Sequence, residues 1–163
     1  MLNWEERPFE IANLVNPAFC SLLLHISVGD FFKEKRNGMP YALLFLIFPL
    51  TLHEPTREVL PSDTRTLLTE WFKEQPEEFG KIFADQVRQF VPYTREAVIF
   101  GMQRSLFDID ENGNITHNTG HLNSAYQMKS PVVAIMNSAR FVGRWFAKLE
   151  HESLIFKVFG ICP

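Results

Sequence analysis

Two cysteines, Cys20 and Cys162, stand near opposite ends of the 163-residue chain with no CxxC pair. That count excludes a disulfide scaffold and a cysteine-based zinc site, and it suits a reducing compartment. An excess of positive charge is also missing. The chain has 16 Lys and Arg against 19 Asp and Glu, a net charge of −3, so no bulk field draws in nucleic acid or an anionic membrane. The longest apolar run, residues 41–52 (YALLFLIFPLTL), contains Pro49. It falls short of the roughly 20 residues that cross a bilayer and reads as a buried core segment, too apolar for either period to decide between helix and strand, with a helix favoured. The opening MLNWEERPFE is polar and acidic, without the basic-then-apolar pattern of a secretory leader, and a cytoplasmic location is expected. Walker A, GxGxxG, GxSxG and HExxH motifs are absent. Gone with them are the usual signatures of nucleotide hydrolysis, dinucleotide binding, serine hydrolysis and zinc proteolysis.

Aromatic rings, by contrast, are plentiful. The chain carries 16 Phe, 3 Tyr and 3 Trp, with 46% apolar and 21% charged residues. This is the balance of an ordinary globular protein, and a chain this long buries enough surface to need no metal or disulfide staple. The ring content points to broad contacts between helices or with another protein. No repeat, low-complexity tract or single-sign charge block divides the sequence. Residues 1–163 therefore read as one domain: a helical part over 1–60, then helices, a β-hairpin and the C-terminal helices over 61–163.

Asn16 before Pro17 is a helix start, because Asn caps the first amides and proline is preset for the first turn. Apolar residues from Phe19 to Phe32 carry that helix over about 17–35, into the basic KEKRNG, where Gly38 is the expected stop. Residues 53–63 hold two prolines and read as a linker or broken turn. Ser62 or Asp63 is expected to cap a helix through Leu67, Leu68, Trp71 and Phe72. Pro76-Glu77-Glu78 starts another, with Phe79, Ile82, Phe83, Val87 and Phe90 on one face. Pro92 is expected to end it, and Thr94 to begin a helix through Val98, Ile99, Met102 and Leu106. The pattern then alternates on either side of Asn112-Gly113, a hairpin signal in which both turn residues can take positive φ. A polar loop over 118–129, a helix over 130–149 and a short one over 153–159 complete the chain. The class is mainly α (α+β), a compact multi-helix domain with one small β-hairpin near 107–117. A helix followed by a hairpin is one half of a winged-helix pattern.

Asp108-x-Asp110-x-Asn112-Gly113-x-Ile115 matches the front of a calcium loop, in which alternate oxygens converge on the ion and the twelfth position supplies a bidentate Glu. Here that position is Thr119, so a hairpin tip with its acids in water is the preferred reading. His117 and His121 stand four apart without the glutamate of a zinc motif, and read as surface histidines in a loop. No nucleophile stands beside a base, and His25, five residues after Cys20, lies on a diverging helix face. The expectation is no catalytic residue, no metal and no cofactor: not an enzyme. Arg140, Arg144 and Lys148 form a basic stripe at i, i+4 and i+8 of the last long helix. A solvated face is the default for such a stripe, although its neighbours Phe141 and Trp145 have the composition of an interface hot spot.

Three stretches, WEERPFEIANLVNPAFCSLLL, PLTLHEPTREVLP and SARFVGRWFAKLEHESLIFKVFGICP, together resemble the middle components of bacterial three-component ABC-ATPase systems. These are small proteins encoded between an SMC-like ATPase and a variable effector or sensor; the Lamassu-type defence systems are one branch. The resemblance includes both ends of the chain and is weakest over 107–129. The closing FGICP puts Cys162 where the family has arginine, so no contact is assigned there. What the resemblance implies is a non-catalytic adaptor that binds the SMC-like ATPase near its heads. It would join that ATPase to an effector, often a nuclease, in anti-phage or anti-plasmid immunity. DNA would be touched only inside the complex, with no membrane and no small-molecule substrate.

The partner-binding candidates are Asn13, Asn16, Pro17 and Phe19; His53, Pro55, Thr56, Arg57 and Glu58; and Arg140, Phe141, Arg144 and Trp145. In the second group Pro55 and Thr56 would start a helix that presents Arg57 as a forked donor to a partner carboxylate. Capping explains Asn13 and Asn16 equally well, and core packing explains Trp145 equally well. Two alternatives stand beside the adaptor. One is a DNA-binding winged-helix regulator, whose recognition helix offers Arg95 and Arg104 behind an acidic wing. The other is a small metal-dependent enzyme built on Asp108, Asp110, His117 and His121.

Overall fold

The computed structural model describes residues 15–118, 131–149 and 152–159. Helix α1 (Pro17–Lys35) starts as its sequence predicts: Asn16 Oδ1 accepts from Ala18 N at 2.9 Å and Pro17 occupies the first turn. Arg36 closes it, ahead of Gly38, in a left-handed conformation with φ 62° and its amide on Phe32 O. Leu23, Leu24, Ser27 and Val28 are fully buried along its length, because α1 is the hub on which the other elements pack.

The apolar run is helical, the favoured of its two readings. A 3₁₀ turn (Tyr41–Leu43) leads into α2 (Leu44–Thr51), which keeps Pro49 inside and buries nearly every residue. The expected linker contains a short helix, α3 (Glu54–Glu58). Helix α4 (Leu68–Lys73) starts later than expected and has no side-chain cap. Asp63 instead accepts from the Arg65 amide at 2.8 Å, a local turn that competes with capping.

The expected break at Pro92 is absent. Helix α5 runs unbroken over Phe79–Gln103 with Pro92 inside it. Proline there removes the bond to the carbonyl four residues back and costs about 3 kcal/mol. Burial on both sides offsets that cost: Phe83 and Val87 before the proline, Ala97 and Val98 after it, all enter the same core. The helix ends on a left-handed Ser105 (φ 55°), with Leu106 N on Gly101 O at 2.9 Å and Ser105 N on Met102 O at 3.0 Å. This Schellman closure turns the chain directly into the hairpin.

Strands β2 (Phe107–Ile109) and β3 (Asn114–His117) form that hairpin, paired antiparallel as Phe107 with His117 and Ile109 with Ile115. Asn112 keeps negative φ; Gly113 alone is left-handed, at 79°. Gly113 N bonds Asp110 O at 3.0 Å and Asp110 N bonds Asn114 O at 2.9 Å. The loop is therefore a type I turn followed by a glycine bulge, not the two-residue primed turn that Asn-Gly suggests. A third strand, β1 (Met39–Pro40), pairs antiparallel with β3, giving the order β1-β3-β2. Two residues, one of them a proline without a donor, leave no period to read; an edge position is where proline is tolerated.

Helices α6 (Pro131–Ala147) and α7 (Glu152–Val158) lie within two residues of their expected spans. Helix α6 packs along α1, and the closest approach is backbone to backbone. A Cβ on Gly143 would meet Ser27 O at 2.2 Å. The large rings are spent mostly in the core, where Trp71, Trp145, Phe48, Phe83, Phe107, Phe146 and Phe159 are nearly inaccessible. Of the described aromatic residues, Tyr41 is the one in the exposed class. No helix among the described residues is long and apolar enough to cross a membrane.

Candidate functional site

The residues that sequence marks for partner binding are largely engaged within the fold. Asn13 lies outside the described residues. Asn16 and Pro17 build the start of α1, and Phe19 packs half-buried against the core. In α3, Arg57 points inward. Its Nη1 donates to Thr51 O at 2.8 Å, closing the end of α2, and its Nη2 lies 3.5 Å from Glu54 Oε1. With the Arg57 side chain only 15% exposed, the fork expected for a partner is already occupied. Pro55 holds the first turn and stays exposed with Glu58, while Thr56 is buried. His53 sits between two neighbours, Nδ1 at 2.7 Å from Thr56 Oγ1 and Nε2 at 2.9 Å from Gln86 Nε2. Burial, then the charge of Arg57, keep its imidazole below the usual histidine range. The neutral ring suits this position, because a second N–H would face the Gln86 amide donor.

The basic stripe does not face water alone. Arg144 Nη1 donates to Asp30 Oδ2 at 3.0 Å and Lys148 Nζ to Glu34 Oε2 at 2.6 Å, so two of its three charges clamp α6 onto α1. Asp30, nearly buried, also accepts from Lys33 at 2.7 Å. Hydrogen bonding to Lys148, then its charge, hold the Glu34 carboxyl below its ordinary range. Arg140 is exposed and reaches Asn137 Oδ1 at 3.3 Å. Phe141 is half-buried against Trp145, and Trp145 is a core residue, 2% exposed, whose Nε1 donates to Thr66 O at 2.7 Å. Sequence periodicity finds such a stripe but not the acidic stripe on another helix that matches it.

The hairpin acids are also committed. Asp110 Oδ1 accepts from the amides of Asn112 and Asn114, both at 2.9 Å, and Asp108 Oδ2 accepts from Asn118 Nδ2 at 2.9 Å. Those bonds, the Asn114 amide first among them, hold the Asp110 carboxyl low. No three His, Cys, Asp or Glu side chains among the described residues are grouped to hold a metal. Millimolar calcium is expected to leave the melting temperature unchanged; a reproducible rise, the mark of any ligand selective for the folded state, would reopen the calcium loop.

His117 is not a surface loop residue. It belongs to β3, and its ring lies on Gly29 of α1, between His25 and Phe32 at centroid distances of 5.7 and 5.4 Å. His117 Nδ1 is buried with no hydrogen-bond partner. Burial, then the charge of Lys33, lower its pKa against the opposing pull of Asp30. The unfolded chain thus takes up this proton first. Stability is complete above about pH 6.5, the unperturbed value, and falls as pH drops below it toward the folded pKa. His117→Leu is expected to flatten the decline in melting temperature between pH 7 and 5; a decline as steep as that of the natural chain would refute the assignment. His121 lies outside the described residues.

One feature escapes the sequence reading. Between the second half of α5 and the sheet, the core opens to solvent in a groove of about 490 Å³, lined by Tyr41, Arg95, Val98, Ile99, Met102 and Ile109 over a floor of buried Ile115. Ile99 and Ile109 are 57% and 56% exposed. Ile99 reads as an inward residue from periodicity, yet it faces out. A signal was present: Val98, Ile99 and Met102 make an apolar stripe wider than α1 and the hairpin can cover, and Ile109 stands between two aspartates. Arg95 lies at the rim, with no carboxylate in ion-pair range among the described residues. Isolated exposed apolar residues mean little, but clustered ones mark contact sites.

No curated protein and no solved structure matches this chain. A family model does: that of the ABC-three component (ABC-3C) system Middle Component 3, over residues 4–163. The match takes in every described element, from the hub helix to α7, and with it the groove and the clamped α1–α6 pair. The chain is a member of the Middle Component 3 family of ABC three-component systems.

Proposed function

We propose that this chain is the adaptor of its system: a non-catalytic subunit that binds an SMC-like ABC ATPase near its heads and couples it to a nuclease-like effector. The setting is anti-phage or anti-plasmid immunity, of which the Lamassu-type systems are one branch, and the compartment is the cytoplasm. Family membership supports an accessory role beside an ABC component. The observation that carries the binding role is the open groove, where Ile99, Ile109 and Tyr41, the one exposed ring among the described residues, stand together in water. No cofactor, metal or small-molecule substrate enters this reading. DNA is contacted only within the assembly. For a regulator acting alone, the hairpin would be a poor wing, since Asp108 and Glu111 stand exposed on it and repel phosphate.

The test is co-expression of the tagged chain with the ATPase and effector encoded beside it. All three are expected in one gel-filtration peak. A chain that elutes alone from both neighbours, or that shifts a DNA duplex by itself at moderate salt, would overturn the adaptor.

A further inference from the structure

We infer that the groove between α5 and the hairpin seats one amphipathic helix of a partner subunit, whose apolar edge fills the groove and whose carboxylate pairs with Arg95. The inference rests on the adaptor reading and supplies what that reading leaves open, the chemistry of the docked segment.

Shape comes first. One wall is helical and presents Arg95, Val98, Ile99 and Met102, positions i, i+3, i+4 and i+7 of α5. Such a row is a ridge against which the ridges of a second helix pack, and an incoming helix delivers its own residues at the same spacing. The opposite wall is Ile109 on the hairpin, fixed by its pairing with Ile115. The Schellman turn at Ser105 holds the two walls at a set distance. About 490 Å³ between them lies within the range of filled pockets, room for the side chains of an edge rather than a whole helix.

Charge selects among apolar helices. Several cations elsewhere on this molecule find acids within it: Arg144 and Lys33 meet Asp30, Lys148 meets Glu34, and Arg65 meets Asp63. Arg88, seven residues before Arg95 and on the same line of α5, is held by Asp85. Across the groove, Asp108 and Asp110 are tied to Asn118 and Asn114. Arg95, with no carboxylate in ion-pair range among the described residues, stands beside an open apolar strip. The complement is a segment with leucine-like residues on one edge and an aspartate or glutamate flanking them, with Arg95 giving orientation more than bulk affinity.

The experiment uses the full chain with the ATPase and effector subunits of its system. Ile99→Asp and Arg95→Glu are each expected to weaken capture at least tenfold, with Arg95→Lys retaining most of it. Leu67→Asp, an exposed apolar position on another surface, is expected to change nothing. Both groove positions are exposed, so melting temperatures should match that of the natural chain and separate lost binding from lost folding. A photocrosslinker at position 99 should label one partner helix with an acidic residue beside its apolar edge. If the natural chain captures neither subunit, the adaptor reading fails. If it captures one and the groove variants do so equally well, the groove assignment fails and the adaptor stands. Loss with Ile99→Asp but none with Arg95→Glu, or a crosslink to a basic or extended segment, overturns the acidic helix.

Discussion

Trp145→Ala is expected to destabilise the fold by about 3–5 kcal/mol, the range for removing a large buried ring, and to lower the melting temperature by roughly 8–15 °C in a chain of this size. Trp145 is 2% exposed and stands edge-on to Trp71 at 5.3 Å. The two indoles share a task beyond filling space. Trp71 Nε1 donates to Val59 O at 2.6 Å and Trp145 Nε1 to Thr66 O at 2.7 Å, so they fasten both ends of the irregular 59–66 segment to the core. Alanine removes the ring and leaves the Thr66 carbonyl without its donor. Trp145→Phe should cost less than half as much, because it restores most of the volume but not the hydrogen bond, itself worth about 1 kcal/mol. Urea unfolding with an unchanged slope is the measurement. Equal losses for both variants would mean that the hydrogen bond, not packing, dominates.

Gly143→Ala is expected to lower the melting temperature by roughly 5–10 °C, against the usual preference of helices for alanine. In an open helix the exchange would gain about 0.8–1.0 kcal/mol. Here the new methyl would lie 2.2 Å from Ser27 O and 3.0 Å from Ser27 Cα, and a backbone cannot rotate away as a side chain can. Helices α1 and α6 must part, which strains the Ser27 Oγ to Ala139 O bond of 2.8 Å and the Arg144–Asp30 pair. Overpacking costs about 1–3 kcal/mol and sometimes more; a backbone obstacle at a hub helix puts this site at or above the upper end. Gly80→Ala is the contrast. Its methyl would meet only the tip of the half-buried Phe72 ring, at 3.0 Å, so the propensity gain should hold. A neutral Gly143→Ala would mean that the two helices are not in contact there.

Local signals were legible in the sequence wherever one residue's chemistry decides the outcome. Asn16-Pro17 starts α1, and the hairpin and both C-terminal helices follow from period and turn signals, whereas 41–52 is too apolar for its period to separate helix from strand. Readings failed where a distant element decides. Pro92 should end a helix on local grounds, but burial of both halves of α5 overrides it. β1 is too short to carry a period, and is a strand only because β3 lies beside it. Distant elements also decide the surroundings of the candidate interface residues. Arg57, Arg144 and Lys148 look available in one dimension, and each finds its acceptor on another element or turn. His117 lies in a polar stretch of sequence, yet the register of β3 turns its ring onto Gly29. The groove, conversely, needs α5 and the hairpin to stand side by side before its apolar residues add up to a surface.

Hydrogen exchange of the chain alone and after mixing with its ATPase and effector partners bears on the central idea, that a partner covers the α5–hairpin face. Amides from 95 to 109 should exchange more slowly in the mixture, while those of the α1–α6 contact, already closed by Asp30 and Glu34, stay as they were. Unaltered exchange over 95–109 in a mixture that has formed a complex, or new protection confined to α6, would contradict it.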